Sequence, residues 1–323
     1  MKRIAILTSG GDCSGMNACI RAVVRYGIVK GLEVFGIFKG YEGLIKGELK
    51  QLRPTSVSNI IGRGGTILKT ARSAEFMTES GQRKAVGVLK KHKIDGLITI
   101  GGNGTFKGTK ILADKWKIAA IGVPATIDND VSGTDFSIGS DTAVNTALDA
   151  IDKIRDTATS LERIFVVEVM GRSEGFIAVA VGLSGGAEDV LVPTVKYDIN
   201  KICEDITKGR RRGKVSWIIV VAEGAATGSE IADLIQKKTG YETRATTLGH
   251  IQRGGSPTAF DRILASRMGA EAVHALIDRQ RGKMVAMVSG QIKMIALDAP
   301  PHQLKRQRML DQKLYKLIRI LAT

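Results

Sequence analysis

Ile4-Ala5-Ile6-Leu7-Thr8-Ser9-Gly10-Gly11-Asp12-Cys13-Ser14-Gly15 is a short apolar run over Ile4–Thr8, broken by a glycine pair and followed by a helical stretch, Met16–Lys30, that Gly31 stops. A buried strand feeding through glycines into a helix is the opening unit of a parallel α/β sheet. The same pattern returns down the chain. Further strands are expected at Val34–Phe38, Leu97–Ile100, Ala119–Val123, Ile164–Val169, Val190–Val192, Ile218–Val221 and Arg244–Leu248. Helical patterns alternate with them at Gln82–Lys91, Phe106–Asp114, Ala143–Asp156, Ile199–Arg211, Ser229–Lys238 and Asp261–Arg279. No repeat, low-complexity segment or Pro/Ser linker interrupts the alternation. Open parallel sheets place ligands at the carboxyl ends of their strands, so functional residues are sought there.

The composition is globular: 323 residues, 43% apolar and 25% charged, with 6 Pro against 38 Gly. That length exceeds what one core usually serves, which points to two domains or one large α/β domain. The longest apolar runs, around Phe176–Leu183 and Trp217–Ala222, fall well short of the roughly 18 residues that span a bilayer. Met1-Lys2-Arg3 precedes an apolar stretch, Ile4–Leu7, too short for an export signal, so a cytoplasmic location is expected. Cys13, Cys19 and Cys203 are odd in number and lack ligand spacing, which argues for reduced structural thiols rather than disulfides or zinc. The balance of 48 Lys+Arg against 32 Asp+Glu gives +16 and points to anionic partners. An aromatic content of 5% and the lack of a zinc-finger or aromatic RNA-binding signature argue against nucleic acid. Phosphorylated metabolites fit better, alongside an ordinary solvated basic surface.

Two expected strand ends carry glycine pairs that open a helix. They are Gly10-Gly11-Asp12-Cys13-Ser14-Gly15 and Gly101-Gly102-Asn103-Gly104-Thr105, with Gly108 one turn on. Backbone without side chains can approach phosphate, and a helix N-terminus offers N–H groups and positive potential. Two such loops together suggest a polyphosphate site, although each alone is also compatible with a tight turn, and neither is a Walker A loop. A third strand end reads Pro124-Ala125-Thr126-Ile127-Asp128-Asn129-Asp130. If extended, it places Thr126, Asp128 and Asp130 on one side, two carboxylates beside a hydroxyl; the alternative is a polar Asx turn. Acids near phosphate-cradling loops call for a cation or a proton-accepting role, the pattern of Mg²⁺-dependent phosphoryl transfer. Arg72, Arg163 and Arg172 supply guanidinium forks suited to phosphate oxygens. The stretch Leu248–Pro257, with His250 and Arg253, again joins a strand end to a helix; His250 taken alone reads as a hydrogen-bonded structural histidine rather than a catalyst, and only its company points to the site.

From Lys2 to about Gly290 the sequence resembles the bacterial ATP-dependent 6-phosphofructokinases. The resemblance is carried by Leu7-Thr8-Ser9-Gly10-Gly11-Asp12, Thr126-Ile127-Asp128-Asn129-Asp130, Val169-Met170-Gly171-Arg172 and Leu248–Pro257, in the family's order. It implies a phosphofructokinase-like α/β fold of two three-layer αβα lobes with mostly parallel sheets. The nucleotide lobe would be residues 1–140 plus about 252–302, and the sugar-phosphate lobe 141–251 plus about 303–323. The implied reaction moves the ATP γ-phosphoryl, with Mg²⁺, to the C1 hydroxyl of fructose 6-phosphate. The family's proton acceptor falls on Asp128, a metal or phosphate-site acid on Asp130, and a sugar contact on Thr126. Arg72 and Arg172 would stabilise the transferring group. Gly11, Tyr41, Arg72, Ser73, Gly102, Asn103, Gly104, Thr105 and Gly108 fall on the nucleotide site. Ile127, Arg163, Met170, Gly171, Arg172, Glu223, Arg244, His250 and Arg253 join Thr126 and Asp128 on the sugar phosphate. Arg163 and Arg244 would reach in from a neighbouring subunit, which implies a homotetramer.

A family effector site for ADP or phosphoenolpyruvate falls on Arg21, Arg25, Arg155, Gly186, Glu188, Arg212 and Lys214; a solvated basic face is the alternative for Arg21 and Arg25. The sequence also departs from the family. Asn103 stands where the family has a metal-site carboxylate, Ala125 where it has Gly, and Pro54 and Asn59 replace an effector-site arginine and aspartate. The alternatives are therefore a catalytically weak or inactive regulatory paralogue and a pyrophosphate-dependent enzyme. Pyrophosphate-dependent relatives place Asp at Gly104 and Lys at Ala125, and both positions are small here. Beyond Gly290 the chain is expected to leave the pattern and end in a basic helical tail, Gln303–Leu321.

Overall fold

The structure is a computed structural model that describes residues 1–297 and 313–322. In chain order the elements begin β1 (Arg3–Thr8), α1 (Met16–Val29), β2 (Glu33–Ile37), α2 (Gly40–Lys46), β3 (Leu49–Leu52), α3 (Glu79–Lys91), β4 (Gly96–Gly101), α4 (Asn103–Asp114), β5 (Ala120–Pro124) and α5 (Ser140–Ser160). They continue with β6 (Ile164–Val169), α6 (Phe176–Ser184), β7 (Asp189–Leu191), α7 (Ile199–Arg211), β8 (Trp217–Ala222), α8 (Gly228–Thr239), β9 (Thr243–Thr247), α9 (Ala259–Ile277), β10 (Lys283–Val288) and β11 (Gln291–Ala296). A last helix covers 313–321. Two compact units result. The first is Met1–Thr142 with the described chain from Arg253 through β11, and the second is Ala143–Gln252 with the helix over 313–321.

The first unit holds a seven-stranded sheet in the order β11-β10-β5-β4-β1-β2-β3. β1 pairs in parallel with both β2 and β4, and the remaining parallel pairs are β4 with β5 and β5 with β10. The edges are closed by antiparallel partners, β2 with β3 and β10 with β11. Alternation along β1 decides the layers. Ala5 and Leu7 face α2, α3 and α4 through Tyr41, Leu44, Leu89 and Leu112, joined by Phe76 from the turn before α3. Ile4 turns the other way, toward Gly27 of α1, the side on which Gly96 of β4 meets Leu276 of α9. Each fully buried aliphatic side chain in these layers contributes about 1.5–3 kcal/mol relative to exposure.

The second unit holds a four-stranded, wholly parallel sheet, β7-β8-β6-β9. Ile164, Val166, Trp217, Ile219 and Val221 pack on Ile202, Ile206, Ile231 and Ile235 of α7 and α8. On the opposite face α6 lies so close to β7 that a Cβ at Gly182 would stand 2.3 Å from Val190 Cγ2. Among the described residues no helix is long and apolar enough to cross a membrane.

Two readings need correction. The expected strands end at Leu248, whereas β10 and, beyond Gly290, β11 extend the first sheet as a hairpin through Ser289 (φ 51°) and Gly290 (φ 78°). The left-handed pair is the two-residue turn that matches strand twist. Of the expected tail, 303–312 lies outside the described residues and 313–321 is helical. The second correction concerns the segment after β5 and is given with the site.

Candidate active site

The strand order of the first unit reverses direction between β1 and β4: the chain proceeds from β1 outward through β2 and β3, then returns to β4 and grows the other way. A crevice opens at the carboxyl ends of strands at such a reversal. The loops meeting there are Ser9–Gly15 after β1, Gly102 entering α4 and residues 125–130 after β5. Thr105 in the first turn of α4 donates from Oγ1 to the Ser9 carbonyl (2.9 Å), and Ser9 N–H donates to the Ile100 carbonyl (3.0 Å), which ties the first two loops together. Gly102 lies close to Thr126, and a Cβ there would be 3.6 Å from Thr126 Cβ. A Cβ at Gly104 would meet nothing within 4 Å, so the N-terminus of α4 is open.

The acid segment is a turn, not an extended strand end. β5 stops at Pro124, and Asn129 adopts φ 48°, so the alternation argument for Thr126, Asp128 and Asp130 does not apply. Asn129 is the reason: its Oδ1 accepts from Ser137 N–H (2.8 Å) and Ser137 Oγ (3.0 Å), and its Nδ2 donates to the Asp135 carbonyl (3.0 Å). Ser137 Oγ also donates to the Thr126 carbonyl (2.7 Å). Within this turn Asp128 N–H donates to Thr126 Oγ1 (3.3 Å), and Ile127 and Asp128 are buried at 1% and 2% exposure. Asp130 is half-buried and accepts from Asn103 Nδ2 at both its main-chain oxygen (3.2 Å) and Oδ2 (3.0 Å).

Tyr41 and Gly108 support α4 from below. The Tyr41 hydroxyl donates to the Thr105 carbonyl (2.7 Å) and lies 3.1 Å from Thr109 Oγ1, while its ring stacks on Phe76 (4.1 Å). Burial pushes the Tyr41 hydroxyl well above its ordinary pKa, so it remains a donor. A Cβ at Gly108 would come within 2.7 Å of Tyr41 Cζ. Arg72 is exposed in the loop after Thr70, whose Oγ1 donates to the Gly10 carbonyl (2.7 Å); Ser73 Oγ accepts from Phe76 N–H (3.2 Å). Arg253 crosses the loop after β1, donating from Nη1 to the Asp12 carbonyl (3.2 Å) beside Gly11.

In the second unit the expected sugar-phosphate residues fall at two opposite ends of the sheet. At the carboxyl ends, Met170 N–H donates to Gln252 Oε1 (3.3 Å) and Arg172 N–H to Glu223 Oε1 (3.3 Å), with Gly171 (φ 148°) and Arg172 (φ 44°) forming the turn and His250 exposed. At the amino ends, Arg163 precedes β6 and Arg244 lies beside Phe165 on β9. A six-residue strand at about 3.3 Å per residue separates the two sets by roughly 20 Å. Arg163 Nε and Arg244 Nη2 close on the two oxygens of Glu242 (2.8 and 2.5 Å). Burial alone would raise the Glu242 carboxyl, but the two guanidinium groups outweigh it and hold it below its ordinary value.

The amino ends also gather most of the expected effector residues. Glu188 is buried (8% exposed); its Oε2 accepts from Ile218 N–H (2.6 Å), and its Oε1 faces Lys214 Nζ (3.2 Å) and Arg155 Nη1 (4.0 Å). Arg155 Nη2 donates to the carbonyls of Gly185 (2.5 Å) and Gly186 (2.7 Å). Arg212 caps the C-terminus of α7 and is exposed. Arg21 and Arg25 belong to the first unit, one turn apart on α1.

The sequence model for Phosphofructokinase matches residues 3–276. The chain belongs to the phosphofructokinase family. It is 53% identical over 322 residues to the ATP-dependent 6-phosphofructokinase of Listeria welshimeri and 52% identical over 323 residues to that of Clostridium tetani, each covering 100% of both chains. The fold is similar to the Pichia pastoris phosphofructokinase, with a TM-score of 0.88 at 36% identity over 99% of this chain and 40% of that one.

Several residues that shape this phosphofructokinase-family site were missed from sequence. Asn17, 1% exposed on α1, holds the loop that leads to Arg72, donating to the Arg63 and Gly64 carbonyls (both 3.1 Å) and accepting from Ile67 N–H (2.8 Å). Asp261, fully buried, accepts from Gly139 N–H (2.9 Å), Thr142 N–H (2.8 Å) and Thr142 Oγ1 (2.5 Å). Burial raises its carboxyl against these hydrogen bonds. For Asp261 the available signal was Thr258-Ala259-Phe260-Asp261, a helix-capping pattern whose acid also reaches across the fold.

Proposed function

We infer that this chain transfers the γ-phosphoryl group of ATP to the C1 hydroxyl of fructose 6-phosphate, giving ADP and fructose 1,6-bisphosphate, as a glycolytic phosphotransferase of the cytoplasm. The observation that carries the reading is Asp128: a buried carboxyl at the carboxyl end of β5, on the same sheet edge as the glycine loops after β1 and β4. Relatives over 50% identical across the full length carry the corresponding name.

In this reading the polyphosphate lies on the loop at Gly11 and on the open N-terminus of α4 at Gly102–Thr105, where N–H groups and the helix dipole favour anions. Asp128 takes the proton of the C1 hydroxyl as its oxygen bonds to the γ-phosphorus. The bond from that phosphorus to the β–γ bridging oxygen breaks, and ADP leaves with the electron pair. Arg72 and Arg172 stabilise charge on the transferring oxygens. Met170, Gly171, Glu223, His250 and Arg253 hold the sugar phosphate. Because Arg163 and Arg244 lie at the opposite sheet end from Met170 and Arg172, they serve a neighbouring subunit's site in a homotetramer. The Arg155, Gly186, Glu188, Arg212 and Lys214 cluster, with Arg21 and Arg25, is read as an anionic effector site for ADP or phosphoenolpyruvate.

Among the described residues no group of three or more His, Cys, Asp or Glu side chains could hold a metal ion. Asp130 with the Asn103 carbonyl oxygen nevertheless suits a Mg²⁺ that brings phosphate and water ligands with it. Bound there, the ion would offset charge on the phosphate oxygens. The reading is tested with γ-labelled ATP and fructose 6-phosphate: label at C1 of the sugar is expected, and label released only as inorganic phosphate would overturn it.

A further inference from the structure

Ser14 stands just before α1, where a serine ordinarily caps a helix. Here the N-cap is Gly15 (φ 104°), with no side-chain capping bond. The Ser14 hydroxyl goes instead to a segment far along the chain: Oγ donates to the main-chain oxygens of Gly254 (3.0 Å) and Gly255 (2.8 Å). One proton is shared between two carbonyls, and Ser14 is 2% exposed. The preceding residue, Arg253, lays its guanidinium against Gly11 and donates to the Asp12 carbonyl (3.2 Å). On its other side the segment meets the loop that leads to Arg72. A Cβ at Gly64 would stand 2.4 Å from the Gly255 oxygen, and Ser256 Oγ donates to the Gly62 carbonyl (2.9 Å). Ser14 therefore stands where the loops carrying Gly11, Arg72 and Arg253 converge.

We propose that Ser14 is a positioning residue: by holding Gly254 and Gly255 it sets the main chain from which Arg253 reaches across Gly11, and so fixes the sugar-phosphate ligand relative to the nucleotide loop. The inference rests on the phosphoryl-transfer reading, in which Gly11 meets the nucleotide and Arg253 the sugar phosphate. Two successive glycines, the second at φ 89°, leave this segment free to adopt many conformations, and a buried donor at a fixed place selects one. The loop after β1 has further ties, from Thr70 Oγ1 to the Gly10 carbonyl (2.7 Å) and from Thr105 Oγ1 to the Ser9 carbonyl (2.9 Å). Loss of the Ser14 hydroxyl thus moves the Arg253 segment and leaves the nucleotide loop where it is. The long arginine side chain carries that shift to its guanidinium.

The test compares the full-length native chain with Ser14→Ala at binding equilibrium. By titration calorimetry the variant is expected to bind fructose 6-phosphate at least about fivefold more weakly and the β,γ-imido analogue of ATP within about twofold of native, since only the arginine is displaced. In an Arg253→Lys background the same substitution should change fructose 6-phosphate affinity by less than about twofold, because its effect passes through the arginine. A purely structural role for Ser14 would give the same loss in both backgrounds. Without ligand, amide hydrogen exchange in 253–257 should speed in Ser14→Ala while that of α1 stays as in the native chain, which also shows that the variant is folded. Unchanged exchange in 253–257, unchanged fructose 6-phosphate affinity, or an equal loss in the Arg253→Lys background would overturn the proposal. A native chain that binds both ligands yet transfers no phosphoryl group would remove the catalytic reading alone and leave these comparisons standing.

Discussion

Arg253 occupies the space that a side chain on Gly11 would need: a Cβ at residue 11 would stand 2.5 Å from Arg253 Nη1, the atom that donates to the Asp12 carbonyl. The glycine thus lets a guanidinium lie flat across the loop after β1. In the proposed reaction Gly11 meets the nucleotide and Arg253 the sugar phosphate, so one contact aligns both.

Gly11→Ala is expected to displace this guanidinium, the far end of a flexible side chain, at a stability cost within about 1 kcal/mol. Misalignment at a reacting centre costs far more, and kcat/KM should fall by about tenfold to 100-fold. Thermal unfolding and steady-state kinetics on the same preparation check this. An unchanged kcat/KM would show that the Arg253 position is incidental.

Asp128→Ser removes the proposed proton acceptor while leaving a small polar group in the buried turn. A loss of about 10²–10⁴ in kcat is expected, with fructose 6-phosphate affinity within a few-fold of native. Retained turnover would take the base role away from Asp128.

Arg163→Ser and Asp128→Ser chains, each impaired alone, are expected to regain activity when mixed under conditions of subunit exchange. The two defects fall in different sites at some interfaces of a hybrid assembly. Exchange demonstrated by mass spectrometry without recovered activity would count against a site shared across subunits through Arg163.

Asp189 gives the second unit a pH signature. Burial pushes its carboxyl up to about 6 from 3.8, against a hydrogen bond from Trp217 Nε1 (3.1 Å), with Asp205 and Glu188 raising it and Arg319 lowering it. Tyr315 also interacts with it electrostatically, and its hydroxyl is raised chiefly by burial. A raised acid holds its proton more tightly folded than unfolded, so this contribution is present below about pH 4 and is lost as pH rises to about 6. The loss is at most roughly 3 kcal/mol. Asp189→Asn, which still accepts from Trp217, should flatten that part of the stability–pH curve measured by urea unfolding; an identical slope would exclude Asp189 as its source.

The strands and helices that alternate in sequence were legible because their apolar periods switch cleanly and glycines punctuate them. β3, β10 and β11 were not: β3 and β11 are edge strands with polar residues outward, β10 is a buried strand that follows α9 closely, and Gln291-Ile292-Lys293-Met294 reads as tail unless Ser289-Gly290 is recognised as a hairpin turn. Loop positions such as Gly102–Thr105 and Asp128 were found from residue type and place. The resemblance added Tyr41, Glu223 and the effector cluster. What escaped were long-range hydrogen bonds. Asn17 holding Arg63 and Gly64, Glu242 clamping two arginines, and Asn129 turning a strand end into a loop all depend on partners that sequence spacing does not bring together.

The central claim, ATP-dependent phosphorylation of fructose 6-phosphate, is most directly tested by a coupled assay of the purified native chain with that sugar, comparing ATP with pyrophosphate at equal Mg²⁺. Turnover with ATP and none with pyrophosphate is the predicted result, in keeping with the open backbone at Gly104. Turnover with pyrophosphate alone, or with neither donor, would contradict it.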